Sequence, residues 1–128
     1  MTETGYEVGT GASLRAVHRL PWMTGPEGEP HAHDYRLQLI VRRAELDGRG
    51  MVCDVDVLDR ALSDLVRRLE GQDLDAIIED VDAVTVEVLA RWLHGSLTDV
   101  VLRAGGELLA IRVWEAPDAF GGYRAAVR

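Results

Sequence analysis

His31-Ala-His-Asp-Tyr-Arg-Leu-Gln-Leu-Ile-Val-Arg42 decides the fold class. Taken two apart, His31, His33, Tyr35, Leu37, Leu39 and Val41 fall on one face, while Arg36, Gln38 and Arg42 fall on the other. Side chains alternate across a strand, so this pattern predicts a half-buried β-strand. Toward the start of the chain, Ser13 to Leu20 reads as a partner strand with Leu14, Ala16 and His18 on one face. Between the two, Pro21 to Pro30 also holds Gly25, Pro26 and Gly28, which predicts an irregular loop. A loop of that length within a compact domain is usually functional or disordered.

Past the strand, Asp47-Gly-Arg-Gly50 is a turn signal. Asp54 to Leu69 predicts an amphipathic helix, because Val57, Leu58, Ala61, Leu62, Leu65, Val66 and Leu69 recur at three-four spacing. Asp54 or Asp56 can cap its start. A second helix is expected from Thr85 to His94, with Leu89, Trp92 and Leu93 on the buried stripe, His94 in its last turn and Gly95 as its stop. The remainder reads as a hairpin: Val100 to Leu102, a turn at Ala104-Gly-Gly-Glu107, then Leu109, Ile111, Val113 and Glu115 alternating. The order ββααββ predicts an α+β domain over residues 1–128, a four-stranded antiparallel sheet with two helices on one face.

Composition narrows the function classes. The 128 residues suit one domain, and 47% hydrophobic content supports a core. Lys plus Arg total 14 against 22 Asp plus Glu, a net charge of −8. Nucleic acid and anionic membranes need a basic face, so neither is an expected partner. No apolar run reaches the ~20 residues of a membrane span, and Met1-Thr-Glu-Thr-Gly-Tyr lacks the layout of a signal peptide. A lone cysteine, Cys53, fits a reducing cytoplasm and reads as a small buried thiol.

The chemistry concentrates on histidine. His31 and His33, two apart on a strand, point the same way, and His18 on the preceding strand can close a three-histidine site. Three imidazoles leave a fourth zinc position open, the pattern of a catalytic metal that polarises an oxygen or lowers a hydroxyl pKa. The competing reading is a partly exposed strand start with an ordinary core-edge histidine. Glu115 extends the Leu109-Ile111-Val113 face and can offer a carboxylate to the paired N–H groups of a heterocycle; the alternative is a strand-end acid in solvent. Thr85 and Glu87 read as a helix cap and a first-turn acid, or as ligand contacts.

Together these segments resemble the 6-pyruvoyl-tetrahydropterin synthase family, which includes the 6-carboxytetrahydropterin synthases. Ala16-Val-His-Arg-Leu20 resembles the family's first zinc-histidine segment, and His31-Ala-His-Asp-Tyr35 its His-Gly-His-Asn-Tyr. Gly50-Met-Val-Cys-Asp54 is similar to the entry to the first helix, Thr85-Val-Glu-Val-Leu-Ala-Arg-Trp92 to the Pro-Thr-x-Glu helix start, and Val113-Trp-Glu115 to the segment with the pterin-anchoring glutamate. The resemblance implies a tunnelling fold, zinc on His18, His31 and His33, and a heterocycle held by Glu115 with Thr85 and Glu87 lining the pocket. It also implies a homo-oligomer in which trimeric rings stack into a hexamer.

The chain departs from that family at two places. The loop before His31 lacks the usual catalytic cysteine; Glu27 falls near its position, with Glu29 close by. Some members similarly carry a glutamate there and cleave the dihydroneopterin side chain. The family's Leu-Asp-His segment falls on Leu69-Glu-Gly71, so Glu70 replaces the aspartate and glycine the histidine. A carboxylate near zinc can serve as general base if its pKa is tuned. The expectation is a zinc-dependent lyase or isomerase acting on a dihydropterin-like small molecule, with Glu27, or else Glu29 or Glu70, moving protons. The alternatives are a divergent member with a non-pterin reaction and a non-catalytic heterocycle-binding protein.

Overall fold

Four strands and two long helices account for most of the chain. The structure, a computed structural model, describes residues 4–128; residues 1–3 of the expected domain lie outside it. The strands are β1 (Tyr6–His18), β2 (His31–Arg43), β3 (Leu108–Ala116) and β4 (Ala119–Ala126), and the helices α1 (Val55–Leu69), α2 (Leu74–Ile77) and α3 (Val86–Arg103). The sheet is antiparallel in the order β1-β2-β3-β4. Against it, α1 lies over β1, and α3 lies over β3 and β4. The ββααββ layout therefore stands, with α2 as a single extra turn.

One face of the sheet is the core. Leu14 and Ala16 of β1, Tyr35, Leu37, Leu39 and Val41 of β2, and Leu109, Ile111 and Val113 of β3 are all buried. They meet Leu58, Leu62, Leu65 and Leu69 of α1 and Leu89, Leu93, Leu97 and Val101 of α3. Burying one such side chain is worth about 1.5–3 kcal/mol, so the alternation fixes which face of each strand turns inward. The cap of α1 is Asp54, whose carboxylate accepts from Asp56 N–H at 2.9 Å.

Several boundaries differ from the sequence reading. Gly95 does not end the second helix; it is exposed, and Leu97 and Val101 carry the buried stripe on to Arg103. Residues Val100 to Leu102 are thus helix, not strand. The three-four stripe outweighs both the glycine cost of about 1 kcal/mol and the β-branched residues. Gly105, at φ 99°, and Gly106 end this helix instead of turning a hairpin. A Cβ at Gly106 would come within 2.5 Å of Val41 Cγ1, so the chain can pass there only as glycine. The real hairpin joins β3 to β4, whose Gly121-Gly122 pair hid it from an apolar-alternation reading. His94, expected in a last turn, is buried in mid-helix, where Nε2–H donates to Ala125 O at 3.2 Å. The first strand starts at Tyr6, not Ser13, and its early glycines masked the alternation.

Candidate metal centre

Register brings the histidines together. His18 is directly opposite His31, and His33 is opposite Ala16, two pairs along and so on the same face. All three lie on the helix-facing side, continuing the rows that are Leu14-Ala16 on β1 and Tyr35-Leu37-Leu39 on β2. Their ring centroids are 4.7 Å (His18–His31), 4.9 Å (His18–His33) and 4.7 Å (His31–His33) apart. One nitrogen from each ring lies within 4.8 Å of the other two.

The hydrogen bonds orient these rings. His18 Nδ1 is 2.7 Å from Val84 O, and His31 Nδ1 is 2.7 Å from Glu29 O. A carbonyl only accepts, so both Nδ1 atoms carry a proton, and in the neutral ring each Nε2 presents a lone pair. His18 Nε2 is buried and has no partner among the described residues. His31 Nε2 lies 3.0 Å from His33 Nε2. An orphaned buried nitrogen normally costs about 1–3 kcal/mol, and converging lone pairs repel. A cation between them answers both, and locking Nδ1 on a carbonyl is how protein ligands to metals are commonly held. The donor set therefore fits zinc. Burial, foremost, then the neighbouring His18 and His31, push the His33 pKa below the ordinary imidazole value, with Glu115 and Glu27 opposing. His33 is thereby held neutral, the form that ligates.

The loop after β1 is compact. Leu20 N–H donates to Glu27 O at 2.9 Å, Met23 N–H to Leu20 O at 3.0 Å and Glu29 N–H to Pro26 O at 3.2 Å, closing a short 3-10 turn at Gly25–Gly28. A Cβ at Gly28 would sit 2.2 Å from Met23 O, so only glycine lets the loop fold back this tightly. The result places Glu27 Oε2 3.3 Å from His31 Nε2. Glu29 reaches the centre through its backbone carbonyl.

The other expected site residues fall as follows. Glu115 lies at a β-bulge between Trp114 and Ala116, with Oε2 3.9 Å from His33 Nε2. It is on the histidine side but 41% exposed, at the rim and not within the buried row, because the bulge breaks the alternation there. Thr85 caps α3, its Oγ1 accepting from Val88 N–H at 3.2 Å. Glu87 is exposed and packs toward Gly121 of β4. Glu70 turns its carboxylate onto β1, where Oε1 and Oε2 accept from Arg15 N–H at 3.3 and 3.2 Å. Cys53 is buried, and burial pushes its thiol pKa up.

Two participants were given no site role from the sequence. The Val84 carbonyl orients His18, and a backbone acceptor has no side chain to read. Tyr35 is the next residue in the His31-His33 row; its ring centroid is 5.6 Å from His33 and 6.1 Å from His18. Burial, then Glu115 and Asp75, raise its phenol pKa far above the ordinary value, so it stays protonated.

A family model described as 6-pyruvoyl tetrahydropterin synthase matches residues 7–126. The chain is similar in structure to the 6-pyruvoyl tetrahydropterin synthase of Plasmodium falciparum, at TM-score 0.77 and 13% identity, covering 98% of this chain and 100% of that one. Similarity to the Caenorhabditis elegans synthase gives TM-score 0.72 and 22% identity over 98% and 99% of the two chains. A Plasmodium vivax synthase in which a catalytic glutamate is replaced by cysteine gives TM-score 0.76 and 12% identity over 98% and 100%. At these identities the structural likeness speaks for the fold. None of the curated proteins matches the chain.

Proposed function

The chain belongs to the 6-pyruvoyl tetrahydropterin synthase family, and from that premise we propose that it is a zinc-dependent carbon–oxygen or carbon–carbon lyase acting on the side chain of a dihydropterin-like small molecule. The observation that carries the reading is the buried, partnerless His18 Nε2 set among the rings of His31 and His33. Zinc held by His18, His31 and His33 supplies Lewis acidity toward a substrate oxygen.

The chain's own groups divide the remaining work. Glu27 is the general base we assign: its carboxylate is 3.3 Å from the His31 ring, on a loop closed by the Leu20–Glu27 bond, and so is positioned without a large entropic cost. Glu29 keeps the His31 ring in place. Glu70 is the weaker base candidate, because both its oxygens already accept from Arg15. Glu115, at the rim beside His33, offers two oxygens to paired N–H groups of a heterocycle. Thr85 caps the helix whose preceding residue, Val84, orients His18, and Glu87 lies in its first turn beside Gly121 of β4; we assign both to the pocket wall. Residues 70–75 cover the outer edge of β1 from Arg15 onward; its earlier part and the outer edge of β4 suit edge-to-edge pairing between copies, in keeping with a hexamer built from two trimers. Among the described residues no helix is long and apolar enough to cross a membrane, and we place the protein in the cytoplasm.

One observation favours a second reading. Gly71, where the family has a histidine, has φ 72° and donates to Arg15 O at 2.7 Å. Glycine adopts that turn at no steric cost and brings no side chain to shuttle a proton, in keeping with a member with a non-pterin reaction. Dihydroneopterin, its triphosphate and unrelated hydroxylated carbonyl compounds offered to zinc-loaded protein distinguish the two. Glu27→Gln should abolish turnover, by 10²–10⁴-fold for a lost general base, and leave zinc content unchanged. Full turnover in that variant defeats the assignment. Protein that binds a pterin without ever converting it is a binding protein.

A further inference from the structure

The sheet face turned away from the helices is cationic, although the chain carries a net charge of −8. Arg36 pairs with Trp114 and Gln38 with Arg112, so Arg36 and Arg112 are diagonal neighbours across β2 and β3. Arg112 pairs with Gly122 and Ala110 with Arg124, so Arg124 continues the diagonal onto β4. Such neighbours stand about 7–8 Å apart. Two acids share this face, and each is already taken: Asp34 by Arg15 at 2.9 Å and Glu7 by Arg42 at 3.9 Å. Among the described residues no ion pair involves Arg36, Arg112 or Arg124.

Packing, not carboxylates, positions two of these arginines. A Cβ at Gly11 would lie 2.9 Å from Arg36 Nη2, so the glycine leaves the slot in which the guanidinium rests. Arg112 Cζ sits 5.1 Å from the Phe120 ring centroid, and a Cβ at Gly122 would touch its stem at 3.7 Å. Their N–H donors are left to serve an outside acceptor. Arg36, Gln38, Arg112 and Trp114 border a cleft of about 620 Å³ floored by Gly9 and Gly11, with Glu7, paired to Arg42, also in its wall. Forked guanidinium groups suit phosphate oxygens, and the amide and indole suit an organic remainder.

We propose that this cleft is a second ligand site, on the opposite face of the sheet from the histidines, for a small anion carrying a polyphosphate or more than one phosphate group. The acidic surface elsewhere repels an extended polyanion, so a small ligand is favoured over nucleic acid.

Inorganic tripolyphosphate titrated calorimetrically into the full chain, stripped of metal and at low salt, tests this. Saturable binding that weakens at least tenfold in the Arg36→Gln, Arg112→Gln double variant is the expected result. No saturable binding, equal binding by the variant, or tighter binding of a single-stranded oligonucleotide overturns it. A second measurement avoids any folding defect in the variant. In the unaltered protein, tripolyphosphate should shield Arg36 and Arg112, but not Arg60 and Arg68 of α1, from phenylglyoxal; uniform labelling of all four overturns the proposal.

Discussion

The helix-facing rows of β1 and β2 have two halves built on one backbone pattern and put to opposite uses. In the far half, Leu37, Leu39 and Val41 pack against the helices, and packing satisfies every atom they present. In the near half the same rows continue as His18, His31 and His33, and the burial that suits leucine leaves His18 Nε2 without a partner. Strand alternation is indifferent to what it turns inward. A binding site arises where polar residues occupy buried positions and their unsatisfied atoms converge, and the cost of that convergence is returned when a ligand arrives.

The sharpest way to break this contrast is to shorten one residue in each half. Leu39→Ala empties a fully packed position and should cost about 2–5 kcal/mol. His33→Ala in metal-free protein removes one of the crowded lone pairs and should stay within about 1 kcal/mol of the parent. Urea unfolding of both variants gives the comparison. If the histidine variant loses as much as the leucine variant, the near half is core like the rest and not a site held at a cost.

Zinc should restore the balance to the near half alone. At free zinc a hundredfold above its dissociation constant, linkage predicts about 2.7 kcal/mol of added stability, read as a rise in Tm. His18→Ala should abolish the rise, and Leu39→Ala should keep it from a lower starting point. A rise that survives in His18→Ala means the metal binds elsewhere. Thr85→Ala is a smaller perturbation: losing the α3 cap should cost about 1 kcal/mol. Its effect should appear in both halves, because α3 covers the core and the residue before the cap orients His18.

The far half was legible almost completely in the sequence, since Tyr35-Leu37-Leu39-Val41 and the α1 stripe announce their faces by spacing. The near half was legible only in its side chains. His31 and His33 declare themselves two apart, and His18 joins them through the Leu14-Ala16 row, but the meeting depends on a register that the loop of residues 21–30 sets. The carbonyls of Val84 and Glu29, which turn the rings, leave no trace in residue type. Glycine misled in both directions. Gly95 looked like a stop but faces solvent within α3, whereas Gly105-Gly106 looked like a hairpin and ends that helix. Of the arginine diagonal only Arg36 had its face read from the sequence, and the unread β4 was needed to complete it.

The smallest predicted effect separates the two halves by pH. Beyond the far end of β2, Asp47 closes the connection to α1, its Oδ1 accepting from Arg49 N–H at 2.8 Å and Met51 N–H at 3.0 Å. Those bonds, that from Met51 foremost, hold its carboxyl below the ordinary carboxylate range. A depressed carboxylate stabilises the fold above its unfolded value of about 3.9, and the contribution is lost as pH falls through the folded-state value. Asp47→Asn keeps an acceptor oxygen but not the charge. It should therefore unfold slightly earlier than the parent at pH 6, and the gap should close in strong acid. His33 has the same sign in another window: its lowered value makes its contribution full above the ordinary imidazole pKa of about 6.5 and lost as pH falls through the lowered one. A gap between Asp47→Asn and parent that instead closes in the imidazole range would tie the two ends together, and the division of the sheet into independent halves would fail.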